Sequence, residues 1–166
     1  MKKIHIGFSF LLFNALLFMF CDGIMILSFY FVCLIHEMGH LVALRATGGE
    51  LLRVELSFFG IRMVAAPTSD LRCGAIVLLS GPAMNFITYM MLKVFDVGGR
   101  TAELSLAACL FNLMPFSSLD GGALLEMYAS GRPYERRVNQ ILTLLRAGTL
   151  AVIMVIIILR VNSPPP

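Results

Sequence analysis

Between Asp22-Gly23 and Thr47-Gly48-Gly49 runs a stretch of 23 residues, Ile24 to Ala46, apolar throughout most of its length yet carrying His36, Glu37 and His40. As a helix it is long enough to cross roughly 30 Å of hydrocarbon. A helix in lipid satisfies its own backbone but not its ionisable side chains. Such groups must face a protein-lined or watery interior, and they usually serve a function there. On a helix His36 and His40 lie one turn apart on one face, with Glu37 beside them. Two imidazoles so placed can share one Zn²⁺, and the adjacent carboxylate can take a proton from the water that such an ion activates. The chain has three histidines and six glutamates. At that composition, chance supplies only about 0.002 matches to His-Glu-x-x-His. The structural alternative is two buried histidines satisfied by neighbouring polar groups.

Composition places the run in context. Of 166 residues, 58% are hydrophobic and 14% charged, with mean hydropathy +0.86. A soluble domain of this size cannot cover so much apolar surface, which implies an integral membrane protein, one compact unit spanning 1–166 without a separate soluble domain. The formal charge of +3 says little by itself, and its distribution along the chain says more; no nucleic-acid partner is expected. Cys21, Cys33, Cys73 and Cys109 show no Cys-x-x-Cys spacing and read as small packing residues. Cys33, one turn before His36, is the one that falls on the histidine face.

In chain order, Ile4 to Phe20 follows Lys2 and Lys3 as an apolar run without a small-x-small cleavage site, and reads as a retained first span. Ile24 to Ala46 is the second, ended by Thr47-Gly48-Gly49. The period then changes. Leu52, Val54, Leu56 and Phe58 alternate with Arg53, Glu55 and Ser57, a strand pattern. Phe59-Gly60 turns, Ile61 to Ala65 can return as a second strand, and Pro67 to Asp70 is a polar break. This hairpin is either an amphipathic surface element or one dipped into the membrane, with an edge open to an extended substrate. Gly74 to Phe95 is the third span, kinked by Gly81-Pro82 and carrying the amide of Asn85. Ala102 to Met114 is apolar again, and Pro115 breaks it. Asp120 stands where an N-cap would, with Gly121-Gly122 opening a short helix. Gln140 to Leu159 is the last span. It contains Arg146, read as structural, while Glu126 reads as interfacial. Residues 162–166 form a disordered tail.

The fold class expected is therefore an all-α membrane bundle of about five spans with a small membrane-associated β hairpin. With the N-terminus inside, nine Lys and Arg lie on inside loops and three on outside ends. The positive-inside rule then puts the N-terminus and the histidine pair towards the cytosol of a cell membrane. Two histidines leave a zinc ion in need of a third protein ligand and a water. Asp120 fits best, because it occupies a broken helix and has no nearby partner in sequence. The chemistry expected is metal-assisted hydrolysis of a peptide bond with Glu37 as the base.

These residues resemble a known family. His36-Glu37-Met38-Gly39-His40, then Gly81-Pro82-Ala83-Met84-Asn85, then Asn112-x-x-Pro115-x-x-x-Leu119-Asp120-Gly121-Gly122 are similar to the three motifs of the site-2 protease family of intramembrane zinc metalloproteases, in the same order. The resemblance covers Met1 to Arg137. The basic start and Leu56-Ser57-Phe58-Phe59-Gly60 look most like the branch of stage IV sporulation protein FB. The resemblance implies that His36, His40 and Asp120 bind zinc and that Glu37 is catalytic. It also implies that Asn85 and Asn112 contact the substrate backbone or shape the cavity. The partners implied are the lipid bilayer, a membrane-tethered protein substrate such as a transcription factor precursor, and regulatory membrane proteins. No PDZ domain interrupts the chain, and no nucleotide-sensing CBS domain is evident. Two other readings compete. One is a prenyl-protein type of membrane metallopeptidase, which would take a glutamate in place of Asp120. The other is a non-catalytic zinc-binding scaffold or metal pathway, for which Glu37 would have no purpose.

Overall fold

The computed structural model describes residues 3–6, 8–57, 60–65, 70–116 and 119–161. The expected turn at Phe58 and Phe59, most of the break at 67–70, Ser117-Ser118 and the tail at 162–166 lie outside them. The chain divides into two compact units, residues 1–113 and 114–166.

The first unit contains β1 (Lys3–Ile6), α1 (Phe8–Phe20), α2 (Gly23–Ala46), β2 (Leu51–Ser57), β3 (Gly60–Ala65), α3 (Leu71–Val94) and α4 (Gly99–Asn112). α2 begins where the Asp22 carboxylate accepts the Met25 amide at 2.7 Å. It ends in a Schellman turn. Gly48, at φ +73°, bonds its amide to the Arg45 carbonyl, and Gly49 bonds to that of Leu44, satisfying two carbonyls that the helix leaves orphaned. α3 starts in the same way, with Asp70 accepting the Arg72 amide at 2.9 Å. β2 and β3 pair antiparallel, and β1 joins β2 in parallel to give the order β1-β2-β3.

The first span expected from Ile4 is shorter here. Lys3–Ile6 is a strand, because its backbone bonds to Arg53–Leu56, and α1 has 13 residues, about 20 Å at 1.5 Å per residue. Among the described residues, two helices, α2 and α3, are long and apolar enough to cross a membrane. Only 33% and 17% of their apolar windows are buried, so neither is the enclosed core helix of a soluble protein. The side chains follow an inverted pattern. Phe18, Phe20, Ile24, Leu27, Val42 and Val94 are exposed, while Ser28, His36, Glu37, Asn85 and Ser105 are buried. Small and polar residues inside, with large apolar residues outside, is the arrangement of helices packed in lipid, and it marks a membrane protein.

α2 packs on α3 and α4, and α3 on α4. Gly39 permits the α2–α3 approach: a Cβ there would meet the Ser80 carbonyl oxygen at 2.5 Å. Ser28 and Thr101 share a hydrogen bond of 2.9 Å between α2 and α4.

The second unit holds α5 (Asp120–Ala129) and α6 (Glu135–Val161). Here the Arg146 guanidinium donates to the Glu126 carboxylate at 2.9 Å. The N-cap of α5 is Leu119, and Asp120 is the first helical residue. The aspartate is therefore not the cap expected from sequence. In the first turn its negative charge suits the helix dipole.

Candidate metal centre

α2 supplies His36, Glu37 and His40, all from one apolar helix, and α3 supplies the groups that face the two rings. His36 and Glu37 are both 8% exposed. The His36 and His40 rings meet edge to face with centroids 4.7 Å apart, and their Nε2 atoms lie 3.1 Å apart. Two imidazole nitrogens on one tetrahedral zinc, each about 2.05 Å from it, stand about 3.3 Å apart. The pair as found fits a shared ion to within a few tenths of an ångström.

α3 shapes that space through Gly81. A Cβ at this position would lie 2.4 Å from His40 Nε2 and 2.8 Å from His36 Cε1, so any larger residue would push the two rings aside. Val77, Gly81 and Asn85 are spaced at i, i+4 and i+8 and form one stripe on α3. The Val77 carbonyl faces His40 Nδ1 at 2.7 Å. A carbonyl only accepts, so the His40 proton sits on Nδ1 and its Nε2 presents a lone pair. The same carbonyl accepts the Ser80 hydroxyl at 2.6 Å. Asn85 is fully buried, and its Nδ2 lies 3.2 Å from His36 Nδ1.

His36, Glu37, His40 and Asn85 thus come together in the first unit. Asn112 ends α4 and donates its amide to the Ala108 carbonyl at 3.0 Å; this is a bond along its own helix. Asp120 belongs to the second unit, at the start of α5. Cys33 is half-buried. Among the described residues it does not join His36 and His40 in a set of ligand atoms close enough to share an ion, and it reads as packing. Sequence reasoning missed Val77, because a backbone carbonyl carries no residue signature. Its position was still available as the residue one turn before Gly81, on the stripe that leads to Asn85.

No family profile matches the sequence, and no curated protein does either. Among solved structures, the chain is similar to the site-2 protease from Methanocaldococcus jannaschii. The TM-score is 0.71 at 20% sequence identity, over 96% of this chain and 82% of that one. At that identity the likeness establishes the fold.

Proposed function

We propose that the protein is an intramembrane zinc metalloprotease that cleaves membrane-tethered proteins within or near the bilayer. The observation that carries the reading is the pairing of buried His36 with half-buried His40, their Nε2 atoms facing in a recess that a Cβ at Gly81 would fill. The likeness in fold to a site-2 protease supports it.

His36 and His40 would hold the ion, and Asp120, from Leu119-Asp120-Gly121-Gly122, would complete the ligand set. Bound zinc would supply a Lewis acid that polarises the scissile carbonyl and makes water acidic enough to react near neutral pH. Glu37, next to His36 on α2, accepts the proton of the attacking water and returns it to the leaving amine. A peptide bond in a helix is shielded by its own hydrogen bonds, so the substrate must reach Glu37 extended. Among the described residues β3 is an edge strand of the sheet, and its outer edge could add such a segment as an extra strand. By the motif resemblance, Asn112 would also contact the substrate or shape the cavity. The remaining helices would complete a multi-pass bundle with the site towards the cytosol. The sporulation branch, and a transcription factor precursor as substrate, rest on the resemblance of 56–60 and the basic start.

The test is zinc content and cleavage together. Wild type, Glu37→Gln and Asp120→Ala are purified in detergent, and each is co-expressed with a panel of membrane-tethered precursors. Wild type should hold about one zinc and cleave. Glu37→Gln should keep the zinc and lose cleavage by about 10²–10⁴-fold, and Asp120→Ala should lose or weaken the metal. Metal loss on Glu126→Ala or Glu103→Ala instead would point to a glutamate-ligated peptidase. Zinc-dependent cleavage that survives Glu37→Gln would remove the role given to that residue.

A further inference from the structure

α3 holds the two histidines in different ways. His40 Nδ1 faces a backbone carbonyl at 2.7 Å, which leaves its ring one tautomer. His36 Nδ1 faces the side-chain amide of Asn85, 3.2 Å from its nitrogen. An amide presents a donor on one side and an acceptor on the other, in nearly the same shape. With Nδ2 towards the ring, Asn85 donates to His36 Nδ1. The His36 proton then sits on Nε2, directed at His40 Nε2 3.1 Å away. In that arrangement the Asn85 Oδ1 is buried with no hydrogen-bond partner among the described residues. An orphaned buried acceptor costs about 1–3 kcal/mol.

An ion shared by both Nε2 atoms needs both lone pairs. One proton must leave His36 Nε2 and one arrive at Nδ1, so the ring stays neutral. Nδ1 becomes a donor, and the amide that faces it must offer oxygen. We propose that Asn85 is the positioning residue for His36 and that its amide turns over with metal occupancy, nitrogen towards Nδ1 without metal and oxygen towards Nδ1 with it. This rests on the metal reading of the histidine pair. It gives Asn85 a role that needs no substrate. In the second state the Asn85 oxygen accepts from His36 Nδ1 and fixes the ring for the ion, while Nδ2 takes the place that the oxygen held. Turnover of one amide is thereby coupled to filling of the site.

The experiment uses the full chain in detergent with ¹⁵N-labelled imidazoles, in a His5→Gln background that leaves only His36 and His40. Long-range ¹H–¹⁵N spectra report which ring nitrogen carries the proton. His40 should show Nδ1–H both after chelation and with zinc added, and His36 should change from Nε2–H to Nδ1–H on addition of zinc. By competition with a chromogenic chelator, Asn85→Ala should bind zinc about 10–100-fold more weakly. Asn85→Asp, whose carboxylate can only accept, should bind at least as tightly as wild type and show His36 Nδ1–H even without metal. Wild-type zinc affinity in Asn85→Ala, or a His36 tautomer that zinc does not change, overturns the inference while the metal reading survives. If wild type binds no zinc, both fall. Should Asn85→Ala fail to fold, the wild-type and Asn85→Asp spectra still decide.

Discussion

α2 and α3 in the first unit and α5 and α6 in the second both bring ionisable or polar groups into apolar helices, but they leave them in different states. Arg146 and Glu126 meet as opposite charges at 2.9 Å, each still about a third exposed, although Arg146 Nε is buried with no hydrogen-bond partner among the described residues. Between α2 and α3 two imidazoles, a carboxylate and an amide converge. Two imidazole nitrogens face each other, a carboxylate is buried beside them, and the Asn85 oxygen has no partner among the described residues. Paired burial of the first kind holds a fold together. Burial of the second kind is costly until something fills the site, and a costly polar cluster at membrane depth is what a functional centre looks like.

Substitutions can sharpen that contrast. Gly39→Ala places a Cβ 2.5 Å from the Ser80 carbonyl oxygen, and backbone cannot give way as a side chain can. It should destabilise the first unit by about 1–3 kcal/mol, read as a lower unfolding midpoint in detergent. Gly23→Ala, which meets nothing within 4 Å, should leave the midpoint unchanged. A smaller effect is expected in the second unit. Arg146→Ala should cost about 1–2 kcal/mol, between the values for exposed and buried pairs. Combining Arg146→Met with Glu126→Leu should restore most of that loss, because neither partner is then stranded. A double-mutant cycle with no coupling between Arg146 and Glu126 would break the comparison on that side.

Much of the first unit was legible because its signals are local. Asp22 and Thr47-Gly48-Gly49 bound α2 through a carboxylate that accepts an amide and a glycine that takes positive φ. His36, Glu37 and His40 needed only helical spacing to fall on one face. Asn85 was visible as an amide in an apolar run, although its histidine partner lies 49 residues away. What escaped depends on non-local pairing or on backbone atoms. Lys3–Ile6 became a strand because β2 offers it hydrogen bonds, which hydropathy cannot anticipate. Arg146 and Glu126 were each visible as charges, but not as a pair across 20 residues. Asp120 read as an N-cap because aspartate before Gly-Gly so often is one, and the helix instead begins on it.

The central claim is that His36 and His40 bind one zinc ion through Nε2. X-ray absorption at the zinc edge, on protein loaded with one equivalent, tests it most directly. The account predicts a shell of nitrogen and oxygen donors at about 2.0–2.1 Å with outer-shell scattering from two imidazoles, lost in His36→Ala/His40→Ala. A sulfur shell at about 2.3 Å would bring a cysteine such as Cys33 into the site, and an unchanged spectrum in the double variant would place the metal elsewhere; either result contradicts the account.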